Sequence, residues 1–173
     1  IDNIELVQFA LSRYKSDKNI VLVSSDAGSL KKIYNVAEGI STDISRYPII
    51  IGNKHRDLNG KITHTSISDC DKYTDHDYFI IDDICDGGRT FIEVAKSIQN
   101  EIDKKEGKGK IYLIVTHGIF SGGLDELKKY FEKIWTTNSV KDITDDFIDQ
   151  MDVFKWELTD KFVFGNNISG HTI

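Results

Sequence analysis

Residues 80–91 read Ile-Ile-Asp-Asp-Ile-Cys-Asp-Gly-Gly-Arg-Thr-Phe, and this stretch decides the fold. An apolar run ends in two carboxylates, Asp82 and Asp83, and a short loop with two glycines leads into a helical pattern. Exposed N–H groups at a helix start form an anion site together with the helix dipole. Carboxylates beside such a site can hold hydroxyl groups or a hydrated Mg²⁺. Groups that can bind a phosphate, several hydroxyl groups and a divalent metal therefore stand side by side, and they predict a sugar-phosphate site.

Short apolar runs and amphipathic segments alternate on both sides of this stretch. The apolar runs predict strands at 19–25, 47–52, 78–83, 111–116 and 133–137. Helical spacing predicts helices at 2–14, 29–40, 90–102 and 124–131. We expect an α/β fold in one domain over 1–173, a three-layer, doubly wound and mostly parallel sheet.

Two regions depart from this alternation. Residues 53–61 are polar and contain a turn signal at Asn59-Gly60. Polar and apolar residues alternate along 61–67, so we expect a flexible hairpin loop whose return arm is a strand. The tail is predicted to form a helix at 143–151 and a strand at 153–158.

Composition narrows the class of protein. The chain carries 28 acidic and 22 basic residues, a formal net charge of −6, which argues against non-specific nucleic-acid binding. No apolar run approaches the length of a membrane span and no signal-peptide pattern is present, so we expect a cytoplasmic protein without a membrane partner. Cys70 and Cys85 lack metal-ligand spacing and fit a reducing compartment.

Three polar loops follow predicted strands, at 25–29, 82–90 and 116–123. In parallel sheets, ligands bind outside the carboxyl ends of the strands, so these loops should converge on one site. In the first loop, small residues let backbone N–H groups approach an anion, and Asp26 can hold a metal bound to it. A plain turn is the alternative for this loop.

Lys54 and Arg56 lie in the polar excursion between two predicted strands. Phosphoryl transfer needs positive charge near the transferring oxygens, and a mobile loop can deliver it. A solvated hairpin is the alternative. A hydrolase nucleophile at Ser121 is disfavoured, because Gly118 lies three residues before it and a nucleophile elbow needs glycine two before and two after. The chain contains no Walker A, GxGxxG or HExxH motif.

The stretch at 80–91 resembles the ribose-5-phosphate signature of the type I phosphoribosyltransferase fold. That signature is an apolar strand, two acids, two variable residues, an aspartate, a small turn and a threonine. The matching residues here are Asp82, Asp83, Asp86, Gly88 and Thr90. Arg89 stands where many members carry glycine.

Further segments narrow the resemblance to the ribose-phosphate diphosphokinases. Residues 24–29 resemble their pyrophosphate loop, Ser-Pro-Asp-Ala-Gly-Gly, with Ser25 in place of the proline and Ser29 in place of the second glycine. Residues 116–121 are similar to their Thr-His-Gly-apolar-Phe-Ser segment, and residues 135–139 to their later Val-Thr-Asn-Thr segment. The resemblance therefore covers most of the chain.

The resemblance implies Mg²⁺-dependent transfer of a diphosphate from ATP to ribose 5-phosphate, which forms phosphoribosyl pyrophosphate. The family's flexible loop carries a catalytic lysine and an arginine two residues later, a spacing that Lys54 and Arg56 match. The implied sugar-phosphate residues are Asp82, Asp83, Asp86, Gly87, Gly88, Arg89 and Thr90. The implied diphosphate residues are Asp26, Ala27, Gly28 and Ser29. The implied metal ligands are Asp26, Asp82 and Asp83.

Members of that family have two similar halves, and this chain resembles only the second. We therefore expect the C-terminal half of a longer two-domain protein, with the N-terminal half or a neighbouring subunit as its partner and a homo-oligomer as its assembly. Two other functions stay open. A phosphoribosyltransferase would pass the sugar of phosphoribosyl pyrophosphate to a nucleobase, under a hood from the aromatic tail (Phe154, Trp156, Phe162 and Phe164). A regulatory half would keep the fold and be inactive alone.

Overall fold

The computed structural model describes residues 2–56, 62–153 and 155, and for residues 54–56 and 62–65 it describes the backbone alone. In this part of the chain, seven strands form one sheet in the order β3-β2-β1-β4-β5-β6-β7. Neighbouring strands are parallel except β2 and β3, which form an antiparallel hairpin. The strands are β1 (Ile20–Ser24), β2 (Ile49–Arg56), β3 (Ile62–Ile67), β4 (Asp77–Cys85), β5 (Ile111–Gly118), β6 (Lys133–Thr137) and β7 (Ile148–Met151).

The α-helices of the described chain cover both faces of this sheet. They are α1 (Asn3–Arg13), α2 (Leu30–Ile40) and α3 (Arg89–Lys104). Helix α1 begins with a capping box, because the Asp2 carboxylate accepts the N–H of Glu5 and the Glu5 carboxylate accepts the N–H of Asp2. Among the described residues, no helix is both long and apolar enough to cross a membrane.

The sheet separates two apolar cores. Val21 and Ile80 pack with α3 on one face, whereas Leu22 and Phe79 pack with α1 and α2 on the other. Every residue of β1 is buried. A strand covered on both faces is mostly apolar, which is why residues 20–23 of β1 form a continuous apolar run in the sequence.

The predicted fold class is confirmed by this arrangement. The predicted strands at 19–25, 47–52, 78–83, 111–116 and 133–137 correspond to β1, β2, β4, β5 and β6. The return arm predicted at 61–67 is β3, while the turn at Asn59-Gly60 lies outside the described residues. The helices predicted at 2–14, 29–40 and 90–102 correspond to α1, α2 and α3.

The helix predicted at 124–131 is wrong. Only a short 3₁₀ turn, Leu127–Lys129, forms there. Gly123, at φ +74°, directly precedes the segment. The N–H groups of Lys129 and Tyr130 donate to the carbonyls of Glu126 and Leu127, three residues back, so the segment takes up the tighter 3₁₀ pattern. Leu127 and Phe131 are nevertheless buried beneath α3, so the apolar spacing reports burial without a helix.

The tail predictions are also wrong where the structure describes them. A turn and β7 replace the helix predicted at 143–151. The Asp145 carboxylate accepts the N–H of Phe147 and the Asp145 carbonyl accepts the N–H of Ile148, which closes a turn instead of a helix. Val153 does not lie in a strand, and residues 156–158 lie outside the described residues.

The chain changes direction across the sheet between β1 and β4. From β1 it continues through α2 to β2 on one side, and from β4 it continues through α3 to β5 on the other. The loops after β1 and β4 therefore diverge at the carboxyl edge and leave a crevice. In open parallel sheets, such a switch point is where ligands bind.

Candidate functional site

A cavity of about 350 Å³ lies at this switch point, between the loop after β1 and the loop after β4. It is lined by Ser25, Asp26, Asp82, Ile84, Asp86, Gly87, Gly88, Arg89, Thr90 and Phe91. Two of the three loops predicted to converge thus meet at one cavity. Its lining combines carboxylates, a guanidinium group and the start of a long helix.

Helix α3 begins at the wall of this cavity. Gly88 precedes its first residue at φ +75°, a left-handed conformation that costs glycine nothing and strains other residues. The N–H of Ile92 donates to the Gly88 carbonyl and closes the first helical turn. The earlier N–H groups of a helix have no partner within it, and here they belong to the lining residues Arg89, Thr90 and Phe91. These N–H groups, together with the positive end of the helix dipole, are suited to binding an anion.

The loop after β5 supports the loop after β4. The Cys85 carbonyl accepts the N–H groups of Ile119 and Phe120 at 2.9 and 3.1 Å, and the Asp86 carbonyl accepts the N–H of Ser121 at 3.1 Å. Phe120 adopts φ 50°, which is uncommon for a bulky residue, and is buried. The third predicted loop therefore holds the second in place from outside the cavity.

The loop after β1 is organised around Asp26. The Asp26 carboxylate accepts the N–H of Ser29 at 3.1 Å and its hydroxyl at 3.3 Å, and the Asp26 carbonyl accepts the hydroxyl of Ser24 at 2.6 Å. Asp26 lines the cavity, whereas Ala27, Gly28 and Ser29 form the adjoining 3₁₀ turn outside its lining. The predicted diphosphate loop is thus next to the predicted sugar-phosphate loop.

The two adjacent acids of β4 open onto different cavities. Asp82 lines the cavity at the switch point, and its Oδ2 accepts the Ser25 hydroxyl at 2.6 Å. Asp83 lines a second cavity of about 330 Å³, together with Asp2, Asn3, Ile4, Lys32, Asn35, Val36, Thr116 and His117. Alternation along a strand directs neighbouring side chains to opposite faces. Their joint contact with one ribose stays a prediction.

The ammonium group of Lys32 links the two acids. Its Nζ lies 3.2 Å from Asp82 Oδ1 and 2.5 Å from Asp83 Oδ2, and Asn3 donates to Asp83 Oδ1 at 2.7 Å. Burial opposes the charged form of Asp83, but the hydrogen bonds from Lys32 and Asn3 outweigh it and lower the pKa of Asp83. Burial likewise opposes the charge of Lys32, and the two carboxylates outweigh it and raise the pKa of Lys32.

Asp26, Asp82 and Asp83, the predicted metal ligands, do not form one cluster. Within the described ranges, no group of three or more His, Cys, Asp or Glu side chains could hold a metal. Asp26 and Asp82 do line the same cavity. Mg²⁺ is commonly held by one or two carboxylates, with phosphate oxygens and water filling its other positions. The donor set therefore fits a Mg²⁺ ion that a phosphate ligand helps to hold.

Lys54 and Arg56, the predicted catalytic pair, lie at the end of β2. β1 pairs with β2 up to Ser24 opposite Ile51, so both residues lie beyond the carboxyl end of β1, at the edge that carries the cavity. Their side chains lie outside the described part of the chain. Their catalytic role stays a prediction.

Sequence reasoning missed Ser25, Lys32 and Asn3 as side chains of the site. One signal for Lys32 was available: it stands in the first turn of α2, where the helix dipole disfavours a cation and where no acidic residue lies. A partly buried lysine at that position is stabilised by carboxylates from other elements. Asn3 and Thr116, which bond each other at 2.5 Å, carried no comparable signal because 113 positions separate them.

Comparison with known proteins agrees with the family resemblance found in the sequence. No protein-family model matches the chain. The ribose-phosphate pyrophosphokinase of Mycoplasmopsis pulmonis is 31% identical over 144 residues, 81% of this chain and 41% of that protein. Ribose-phosphate pyrophosphokinase 2 of Saccharomyces cerevisiae is 28% identical over 145 residues, 82% of this chain and 42% of that protein.

The chain is a homologue of the ribose-phosphate pyrophosphokinases. The resemblance inferred from the sequence, under the family's other name of diphosphokinases, is confirmed. The chain spans about two fifths of the length of these pyrophosphokinase relatives. In three dimensions it matches the phosphoribosylpyrophosphate synthetase from Mycobacterium smegmatis with a TM-score of 0.68 at 17% identity, over 94% of this chain and 51% of that one. The pyrophosphokinase fold is therefore shared at low sequence identity.

Proposed function

We propose that the cavity at the switch point binds ribose 5-phosphate, and that the chain takes part in Mg²⁺-dependent transfer of a diphosphate from ATP to that sugar. One observation carries the proposal: Asp82 and the start of α3 line the same cavity of about 350 Å³. A carboxylate for hydroxyl groups and N–H groups for phosphate thus face one space. The homology to pyrophosphokinases supports the choice of sugar phosphate.

The 5-phosphate is assigned to the start of α3. Its acceptor oxygens would receive the first-turn N–H groups and the Thr90 hydroxyl, favoured by the positive end of the helix dipole. The exposed Arg89 guanidinium adds charge-assisted donors that suit a phosphate. Gly87 and Gly88 let the ligand approach the backbone, and Asp82 and Asp86 accept the sugar hydroxyls.

The diphosphate is assigned to Asp26, Ala27, Gly28 and Ser29, and Asp26 and Asp82 are the carboxylates that would hold Mg²⁺. A bound Mg²⁺ would neutralise charge on the transferred group. Lys54 and Arg56, which lie at the same edge of the sheet, would stabilise the remaining negative charge.

The ATP site is proposed to need protein from outside this chain. The chain spans about two fifths of its pyrophosphokinase relatives, so an N-terminal half or a neighbouring subunit is the proposed contributor. A homo-oligomer in the cytoplasm is the corresponding proposal for assembly and location.

Calorimetric titration with ribose 5-phosphate, with and without Mg²⁺, tests the proposal. We compare the unmodified chain with Asp82→Asn and with Asp125→Asn, an exposed aspartate outside the site that gives the same change in charge. Asp82→Asn should weaken binding at least about tenfold, since charged hydrogen bonds contribute about 1.5–3 kcal/mol, and Asp125→Asn should bind normally.

Equal binding by both variants would refute the assignment of Asp82. No binding by the unmodified chain would refute the proposed site in this chain. Release of pyrophosphate from phosphoribosyl pyrophosphate that depends on an added nucleobase would favour the phosphoribosyltransferase alternative instead.

A further inference from the structure

Lys32 reaches from α2 to two carboxylates that lie fifty residues further along the chain. Its ammonium group contacts Asp82 Oδ1 at 3.2 Å and Asp83 Oδ2 at 2.5 Å. The Lys32 side chain is 27% exposed, so water is partly excluded from the contact. The two carboxylates alone would carry a charge of −2, and with the Lys32 ammonium group the cluster carries a net charge of −1.

The hydrogen bonds of Asp82 use most of its acceptor positions. Its Oδ1 accepts Lys32 and the backbone N–H of Asp83, at 3.2 and 2.8 Å, and its Oδ2 accepts the Ser25 hydroxyl at 2.6 Å. A carboxylate oxygen has about two lone pairs. Oδ1 is therefore fully used, and only Oδ2 can accept one more donor or coordinate a cation without displacing Lys32.

The oxygens of Asp83 are engaged in a similar way. Asn3 donates to Oδ1 at 2.7 Å and Lys32 to Oδ2 at 2.5 Å. The Asn3 amide oxygen in turn accepts the Thr116 hydroxyl, and Asn3 is buried. Asp83 is thus anchored to α1 and α2, where it holds the ammonium group of Lys32 next to Asp82.

A free divalent cation at Asp82 would lie within a few ångströms of this ammonium group. The repulsion acts on both charges of the ion and is strengthened where water is excluded. A phosphate ligand that arrives with the ion brings negative charge and offsets the repulsion. The same ammonium group therefore acts differently on a free ion and on an ion bound to phosphate.

We propose that Lys32 is a resident counter-ion that keeps free divalent cations from Asp82, so that the ion enters only with its phosphate ligand. This inference rests on the sugar-phosphate site proposed above. Lys32 is a positioning residue, since it acts through Asp82 and Asp83. A purely structural role for Lys32 would change the stability of the protein and leave its selectivity between free and phosphate-bound cations unaltered.

The test measures binding of free Mn²⁺, a paramagnetic ion that also prefers oxygen ligands, from the loss of its aqueous electron paramagnetic resonance signal. The proteins are the unmodified chain, Lys32→Met and Lys31→Met. Lys31 is the exposed neighbour on α2, so its variant gives the same change in net charge. We expect Lys32→Met to bind free Mn²⁺ at least about tenfold more tightly than the unmodified chain, and Lys31→Met to stay within about twofold, as Coulomb's law predicts for a nearby and a distant charge.

Equal Mn²⁺ affinity in Lys32→Met and Lys31→Met would overturn the inference. Lys32→Arg keeps the positive charge and should bind free Mn²⁺ as weakly as the unmodified chain, so tightening in this variant would also overturn it. If Lys32→Met does not fold, Lys32→Arg can still refute the inference.

A second titration adds phosphoribosyl pyrophosphate to each protein, because this sugar phosphate carries both the 5-phosphate and the diphosphate that is proposed to bind with the ion. The unmodified chain should gain Mn²⁺ affinity when the sugar phosphate is present, and Lys32→Met should gain less because its affinity is already raised. If the sugar phosphate binds and Lys32→Met shows no tightening for free Mn²⁺, only the role of Lys32 is refuted. If the sugar phosphate binds to none of the proteins, the proposed function fails, and this inference, which rests on it, fails with it.

Discussion

Ser25 donates a hydrogen bond of 2.6 Å to Asp82 Oδ2, and this bond joins the carboxyl ends of β1 and β4. The two residues are 57 positions apart, and Ser25 is buried. The bond spans the point where the chain changes direction across the sheet. It therefore fixes the Asp82 carboxylate before any ligand arrives, which reduces the ordering cost of binding.

Ser25→Ala should weaken ribose 5-phosphate binding about three- to tenfold and lower the free energy of unfolding by about 1 kcal/mol, the usual contribution of one such bond. The reason is that Asp82 loses one of the three donors that orient its carboxylate, the one on Oδ2. Calorimetry and urea unfolding measure the two effects. Ser12→Ala, which removes a 2.7 Å bond to the Phe9 carbonyl on α1, is the control and should leave sugar binding unchanged. Unchanged affinity in Ser25→Ala would show that Lys32 and the Asp83 N–H orient Asp82 without help from Ser25.

Gly52→Ala should destabilise the fold by about 1–3 kcal/mol, the range seen for overpacked cores. A Cβ at this position of β2 would lie 2.8 Å from the Ser25 carbonyl oxygen and 3.2 Å from Val94 Cγ2. Backbone atoms cannot rotate away, so β2 or the loop after β1 must move. Urea unfolding measures the loss. Gly87→Ala is the control: among the described residues, its Cβ would have only Ser121 Oγ within 4 Å, at 3.9 Å, and it should change stability by less than about 0.5 kcal/mol.

The ion pair of Lys32 and Asp83 should stabilise the fold at pH values above the lowered pKa of Asp83 and below the raised pKa of Lys32. The pKa of Asp83 is lowered in the folded protein, so its contribution is present above the ordinary carboxyl pKa of about 3.9 and is lost as pH falls through the folded value. The pKa of Lys32 is raised, so its contribution is present below about 10.4 and is lost as pH rises through the folded value.

Urea unfolding of the unmodified chain and Lys32→Met at several pH values checks this window. The difference in unfolding free energy should be at most about 1 kcal/mol at pH 7, because the Asp83 side chain is 53% exposed and solvent screens the pair. It should shrink as pH falls below about 4. A difference that stays constant down to pH 2.5 would mean that the contribution of Lys32 is not electrostatic.

Cys85 should be unreactive toward thiol reagents in the folded protein. Burial, followed by the nearby charges of Asp86 and Asp82, raises the pKa of the Cys85 thiol to about 12. Burial also raises the pKa of Cys70. Ellman's reagent at pH 8 should therefore detect neither thiol before unfolding and both after it. Fast reaction of one thiol, identified with Cys85→Ala, would show that the loop after β4 opens in the native state.

Most of the fold was predictable because it depends on local patterns. Fully buried strands require continuous apolar runs, and amphipathic helices require apolar residues every three or four positions, so β1, β4, α1 and α3 were found close to their observed ends. The failures share one cause. Apolar spacing at Leu127, Phe131 and Ile148 reports burial, and whether a buried segment becomes a turn, a strand or a helix depends on what it packs against.

The site was predictable only in part, for a related reason. Asp26, Asp82, Gly88 and Thr90 stand in short motifs whose residues are close in sequence, and they line one cavity. Ser25 lies within one of those motifs, but its partner lies 57 residues away, and its hydrogen bond to Asp82 cannot be inferred from spacing.

The sequence by itself determined the alternating layers, the parallel sheet and the motifs at its carboxyl edge, because each of these depends on residues that are neighbours along the chain. The tertiary structure alone decided that Asp82 and Asp83 open onto different cavities, that Lys32 neutralises part of their charge, and that the loop after β5 supports the loop after β4. These features arise from the pleat and twist of the strands and from hydrogen bonds between distant segments. Such relations exist only once the chain is packed.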